Sequence, residues 1–302
     1  MAIRGAAALL SRKGKHIISS AAEHDAVRRP LEQLQKEGFA VTVLSPDASG
    51  AVSPAAVRAA LRPDTVLVSL MLVNNETGAV TDLAGVSRAI RESGAPALLH
   101  TDAVQGFGKI PFTPRSLGAD LISVSGHKIH APKGIGALYI RSGVKLPPLI
   151  LGGGQENGLR SGTEPLPQIA AFGEAAALAR ASLAGAGARM TALRESCIQT
   201  LSAAIPDLAV LGGGAPHILS LSLPGYRSEV LMNYLEAEGI YVSRSSACKR
   251  GRRSHVLEAM GVPDRVIDGA IRVSFSRYTT AEECEAFCAA LIRAREELYP
   301  SL

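Results

Sequence analysis

Tryptophan is absent from this chain of 302 residues, and phenylalanine and tyrosine together bring its aromatic content only to 4%. Nucleic-acid interfaces usually combine a basic face with aromatic rings on which bases stack. With few rings and a formal net charge of only +5, the chain offers neither. Cysteine is scarce as well. Cys197, Cys248, Cys284 and Cys288 form no C-x-x-C pair and no metal-ligand grouping, which speaks against a disulfide framework and against a metal centre. Cys284 and Cys288 stand at i and i+4 in a helical pattern and are expected to face a core as small apolar residues. No apolar run reaches the length of a membrane span. The opening M-A-I-R-G-A-A-A-L-L-S-R-K-G-K has too short an apolar core, and no clear cleavage site, for a secretory signal. It reads as an amphipathic helix and the protein as cytoplasmic, with neither nucleic acid nor membrane among its expected partners.

What is present suits an α/β globule: apolar residues make up 47% of the chain, with 30 glycines and 17 prolines. In the first half, short apolar runs alternate with helical stretches, the pattern of a parallel sheet with crossover helices. Strands are predicted at His16–Ser20, Val41–Leu44, Val66–Val73, Ala97–Thr101, Leu121–Ser125 and Gly136–Ile140. Helices are predicted at Ala26–Glu37, Pro54–Ala60 and Leu83–Ser93. A glycine-rich loop (Gly152–Gly162) precedes an alanine-rich helix from Pro167 to Leu183, and Ala184–Ala188 reads as a hinge. Beyond it come a helix at Met190–Ala204, strands near Ala209–Leu211, His217–Leu223, Ile240–Ser243 and Ile271–Ser274, and helices at Glu229–Glu238 and Ala281–Leu298. The expected organisation is a mostly parallel large domain, residues 1–185, followed by a smaller α+β domain, residues 186–302.

Two motifs carry chemistry. Ser123–Gly136 places Lys128 among small and hydrogen-bonding residues just after an apolar run. A lysine so placed can form a Schiff base with a carbonyl cofactor, and Ser125 and His127 beside it can hold a phosphate. Upstream, H-T-D-A-V-Q ends another apolar run with Asp102 and Gln105. A buried carboxylate keeps a pyridinium nitrogen protonated, as pyridoxal phosphate requires. Taken alone, Lys128 could be a solvated turn residue and Asp102 a helix cap. At the ends of successive strands, where open parallel sheets bind ligands, the two together point to pyridoxal phosphate chemistry. Asn74 and Asn75 fall at another such strand end.

Eight segments, these two motifs among them, stand in an order that resembles the cysteine desulfurases of the class V aminotransferase group. They are E-H (Glu23-His24), V-N-N-E-T-G (Val73–Gly78), H-T-D-A-V-Q-G-F-G-K, S-G-H-K-I-H-A-P-K-G-I-G-A-L-Y, G-G-G-Q-E-N-G-L-R-S-G-T-E, S-S-A-C (Ser245–Cys248), and S-H-V-L-E-A-M-G with I-R-V-S-F-S-R. The resemblance implies the pyridoxal-phosphate-dependent transferase fold of type I. It implies that Lys128 holds the cofactor covalently and serves as base, Asp102 pairs with the pyridine nitrogen, Gln105 bonds the phenolic oxygen, and His24 stacks on the ring and takes a catalytic part in moving protons. Ser125 and His127 would bind the phosphate. Thr163 would reach the phosphate of a neighbouring subunit, which implies a homodimer. Arg272, helped by Asn75, would receive the substrate carboxylate, for which a guanidinium's paired donors are suited. Cys248 would be the nucleophile that takes sulfur from L-cysteine as a persulfide, leaving L-alanine. The sulfur would then pass to an acceptor such as an iron–sulfur scaffold or a sulfur carrier protein.

The basic run Lys249, Arg250, Arg252 and Arg253 would favour the Cys248 thiolate. It reads equally as a solvated loop or as a patch steering an acidic acceptor. The same machinery would also serve an aminotransferase or lyase. In the family a further segment precedes the position of Met1, with a glycine/threonine loop opening a helix at the phosphate. Its absence here implies weaker cofactor binding, and a third reading as a non-catalytic partner subunit. Ser276, in S-F-S-R, stands where the family more often has glycine and is expected to tighten the turn.

Overall fold

The computed structural model describes residues 1–244 and 253–300. These fall into two compact units, one of residues 1–45, 52–73 and 81–181, the other of residues 46–51, 74–80 and 182 onward. Two short pieces that precede residue 185, one of them carrying Asn75, therefore group with the C-terminal unit.

In the first unit, α1 (Ala2–Leu10), β1 (His16–Ser20), α2 (Asp25–Lys36), β2 (Ala40–Leu44), α3 (Pro54–Ala60) and β3 (Thr65–Ser69) come first. Then follow α4 (Leu83–Ser93), β4 (Leu98–Asp102), α5 (Pro114–Leu117), β5 (Leu121–Ser125) and β6 (Gly136–Ile140). The six strands form one sheet in the order β2-β1-β3-β4-β5-β6, parallel except for the antiparallel β5–β6 pair. β1 and β3 are buried along their whole length, as expected of strands covered on both faces. Ile3, Ala6 and Ala7 of α1, Val27 and Leu31 of α2, and Ile17, Leu67 and Leu121 of the strands share a core. Ser53 and Asp82 cap α3 and α4 through their side-chain oxygens, accepting from Ala56 N–H at 3.1 Å and Gly85 N–H at 2.8 Å. The expected strand Val66–Val73 ends at Ser69 in the sheet, leaving Leu70–Val73 to run on as buried connection.

The expected hinge at Ala184–Ala188 is not there. α6 is unbroken from Leu166 to Ala204. Its alanines have the highest helix propensity, and each glycine costs only about 1 kcal/mol in a helix interior. Burial at both ends recovers that cost: Ala175 and Ala179 pack with Ile129, and Met190, Cys197 and Leu201 join the core of the second unit.

The second unit adds β7 (Ala209–Val210), β8 (Ile218–Ser222), α7 (Ser228–Ala237), β9 (Ser243–Arg244), α8 (His255–Ala259), α9 (Asp264–Asp268), β10 (Ala270–Ser274) and α10 (Ala281–Glu297). Its sheet runs β7-β8-β10-β9, with antiparallel pairing. The strand expected at Ile240–Ser243 is instead Ser243–Arg244, because Gly239 (φ +77°) ends α7 and leaves Tyr241 80% exposed. Cys284 and Cys288 lie in the core beside Cys197, as the sequence spacing implied. Ser276 takes no positive φ. Its hydroxyl accepts from Tyr278 N–H at 3.1 Å and its own N–H donates to Thr279 Oγ1 at 2.9 Å, so serine serves this turn without backbone strain. No helix among the described residues is long and apolar enough to cross a membrane.

Candidate functional site

The first sheet reverses its strand order at β1: the chain goes from β1 to β2 on one side, then to β3 on the other. Such a switch point leaves a crevice beyond the carboxyl ends of the strands. Every expected cofactor residue of the first unit except Thr163 follows a carboxyl strand end. His24 comes after β1, Asp102 and Gln105 at the end of β4, and Ser125, His127 and Lys128 after β5.

Local chemistry explains each placement. His24 is the N-cap of α2, its Nδ1 accepting from Ala26 N–H at 3.1 Å. That bond selects the tautomer with the proton on Nε2, the atom left to face outward. Asp102 accepts from Val104 N–H at 2.9 Å through Oδ1, which shapes the turn carrying Gln105. Burial raises the Asp102 carboxyl above its usual range, against the stabilising Val104 bond and the nearby His24. Ser125 Oγ and His127 Nδ1 lie 2.8 Å apart. Burial, then the charges of Lys128 and Lys133, lower the His127 pKa. The short 3₁₀ turn Gly126–Ile129 exposes Lys128. Gly126 is required there, since a Cβ would lie 2.9 Å from Ile135 and 3.1 Å from both Ala131 and Phe172. Thr163 is exposed on the loop beyond β6, where Ser161 N–H donates to the Ile150 carbonyl at 3.0 Å.

Two buried groups at the same strand ends escaped the sequence reading. Glu23 is fully buried; its Oε1 accepts from Met71 N–H and from Ser20 Oγ, each at 2.8 Å. It thereby ties the end of β1 to the segment after β3, across the switch point. Burial pushes its pKa up to about 8, with the Asp102 charge adding to the shift. His100 bridges three strands: Ser69 Oγ lies 2.8 Å from Nδ1 and Ser123 Oγ 2.9 Å from Nε2. Burial lowers its pKa to about 3, so it is neutral. The E-H motif carried the signal for Glu23; for His100, only its place two residues before Asp102 did.

In the second unit, Arg272 lies on β10 and its Nη1 donates to the Asn75 carbonyl at 2.8 Å. Asn74 is structural: its Oδ1 accepts from Glu76 N–H and Thr77 N–H, both at 2.9 Å. Arg253 is engaged by Asp268 at 2.7 Å through two parallel bonds and by Asp264. That occupies one member of the basic run. Cys248, Lys249, Arg250 and Arg252 lie outside the described residues.

A doubly wound sheet with a lysine after one parallel strand and a carboxylate ending its neighbour defines the type I fold of pyridoxal phosphate enzymes. Residues 1–287 match the aminotransferase class-V family, and the chain belongs to that family. It is 42% identical to a cysteine desulfurase IscS of Pseudomonas entomophila, over 98% of this chain and 75% of that one. It is 43% identical to cysteine desulfurase 2 of Trichormus variabilis, over 94% and 72%. Among solved structures, a NifS-like protein superposes with a TM-score of 0.90 at 37% identity, covering 98% of this chain and 79% of that one. A structure titled SspA in complex with cysteine gives 0.77 at 30% identity, covering 92% and 78%.

The family depends on pyridoxal phosphate, and the first unit fits that group. Asp102 Oδ2 has no hydrogen-bond partner among the described residues, and burial makes its charge costly. A cationic ring nitrogen relieves both conditions.

Proposed function

We propose that the protein is a pyridoxal-phosphate-dependent cysteine desulfurase that takes sulfur from L-cysteine, leaves L-alanine, and passes the sulfur on from Cys248. The observation that carries this reading is the pairing of Asp102 and Lys128 at the carboxyl ends of adjacent parallel strands, β4 and β5. Its support beyond the fold is the 42–43% identity to proteins named cysteine desulfurases.

Lys128 would hold the cofactor and move the substrate's α-proton, while Asp102 holds a proton on the ring nitrogen. Gln105 would bond the ring oxygen, and its amide has no competing partner among the described residues. His24 would cover the ring, with Nδ1 already engaged in the cap. Ser125 and His127 would take the phosphate, and Thr163 would serve that of a second copy. Bound there, the cofactor supplies an electron sink for charge at the substrate α-carbon. Arg272 would bind the substrate carboxylate from a position fixed by the Asn75 carbonyl. Cys248 would receive the sulfur as a persulfide for transfer to an acceptor protein. A homodimer is part of the reading: Leu149, Leu151 and Leu166 are 49%, 82% and 69% exposed on the segments flanking Thr163, and a second copy would cover them.

With pyridoxal phosphate added, the purified protein should develop a visible absorption band that Lys128→Ala lacks, and L-cysteine should change it. Alanine should form with the wild type, and Cys248→Ser should abolish sulfur transfer. Absence of a Lys128-dependent band would overturn the cofactor assignment. A band with unimpaired turnover in Cys248→Ser would overturn desulfuration in favour of another reaction on the same fold.

A further inference from the structure

Glu76 and Ser254 stand 178 positions apart in sequence, yet Ser254 Oγ donates to Glu76 Oε2 in the interior of the second unit. Both are buried, at 5% and 2% exposure. The serine hydroxyl is used twice. Besides donating to Glu76, it accepts from Leu257 N–H at 3.1 Å and so caps α8. One residue earlier, the two-pronged bond of Arg253 to Asp268 fixes the same point of the chain. On the other side of residues 245–252, Arg244 and Ser243 pair with Ile271 and Arg272 of β10, and Arg244 makes a 2.6 Å ion pair with Glu229.

The strap that carries Glu76 also touches Arg272. Asn75, its neighbour, offers the carbonyl that receives Arg272 Nη1 at 2.8 Å. The strap is stiff, because Asn74 Oδ1 binds the amides of both Glu76 and Thr77. The Glu76 side chain and the Asn75 carbonyl that holds the guanidinium thus leave adjacent positions of one braced strap. Burial pushes the Glu76 pKa up to about 7, with the Ser254 bond and the charge of Arg272 acting against the rise. The carboxyl thus sits near enough to Arg272 to sense it, while among the described residues its hydrogen bond goes to Ser254.

We propose that Glu76 and Ser254 form a buried clasp that positions Arg272 for the substrate carboxylate and fixes the chain where it enters α8. This rests on the desulfurase reading for the identity of the substrate; the clasp itself does not. Neither residue touches the reacting atoms, so both are positioning residues, and their removal should act on substrate binding more than on cofactor binding.

The test is a double-mutant cycle on the protein reconstituted with pyridoxal phosphate. Glu76→Ala and Ser254→Ala should each raise KM for L-cysteine about tenfold, the equivalent of about 1.4 kcal/mol, with a smaller fall in kcat. The double variant should be no worse than either single one, because contacting partners are not additive. Glu76→Gln keeps an oxygen for Ser254 and should stay within about twofold of wild type. In every variant the Lys128-dependent absorption band should remain. Hydrogen exchange supplies a readout free of turnover: the Leu257 amide should exchange faster in Glu76→Ala than in wild type or Glu76→Gln. An additive cycle, or an unchanged KM in Glu76→Ala, would overturn the positioning role. Equal Leu257 exchange in wild type and Glu76→Ala would overturn the clasp. If wild type forms the band but does not turn over L-cysteine, the functional reading fails, and the exchange experiment alone still decides the clasp.

Discussion

Glu23 and His100 are two buried ionisable residues at the same end of one sheet, and both are uncharged at neutral pH for the same reason, loss of water. The consequences have opposite signs. Glu23 has a folded pKa of about 8 against an ordinary 4.5, so between these values the folded state holds a proton that the unfolded chain releases. Stability then falls as pH rises through that window. Glu23→Gln keeps an acceptor for Met71 N–H and Ser20 Oγ, and should gain stability relative to wild type from pH 5 to pH 8 in urea unfolding. His100 has a folded pKa of about 3 against 6.5, so in that window the unfolded chain binds the extra proton and stability falls as pH drops. From pH 7 to pH 5 the wild type should lose about 2 kcal/mol more than His100→Gln. Equal pH slopes for variant and wild type would contradict these assignments. Neither charge state was legible in sequence. A glutamate beside a histidine and a histidine before T-D look like polar strand-end residues until their neighbours are known.

At the scale of elements, the short strands and capped helices were largely legible because their signals are local. Alternation of apolar runs, Ser53 and Asp82 before helices, and glycines after them act within a few residues. α6 was misread for the same reason. Gly185 and Gly187 look like a break in a local window, but the helix continues because its two ends are buried in different cores. A Cβ at Gly173, Gly185 or Gly187 would meet nothing within 4 Å. Gly185→Ala should therefore stabilise the second unit by about 0.5–1 kcal/mol, mainly by restricting the unfolded chain. Chemical denaturation would measure it. Gly126→Ala should do the opposite, since its Cβ would press on Ile135, Ala131 and Phe172 around the turn that presents Lys128. Loss of the cofactor band at ordinary pyridoxal phosphate concentrations would register that damage.

For the whole molecule, the exposed apolar side chains around Thr163 bear on assembly. If a second copy covers them, sedimentation should give a dimer of the 31.4 kDa chain. Leu151→Asp should shift it toward monomer by placing a charge in a dry interface. A monomeric wild type with a full cofactor band would remove Thr163 from the site. The division of labour between the units follows from topology. Residues that would handle the cofactor follow strand ends of the parallel sheet, whereas Asn75 and Arg272 are joined by a hydrogen bond in the other unit.

The sequence by itself determined the class of chemistry. Lys128 after one apolar run, Asp102 after another, and the ordered motifs around them depend on residue type and local spacing, which the chain carries in one dimension. Tertiary structure alone decided which groups lose their water and which distant ones meet. Glu23 reaching Met71, His100 spanning three strands, and Glu76 closing on Ser254 are contacts between segments far apart in the chain. A buried polar group's charge and partners are set by what packs over it, and only the folded chain supplies that cover.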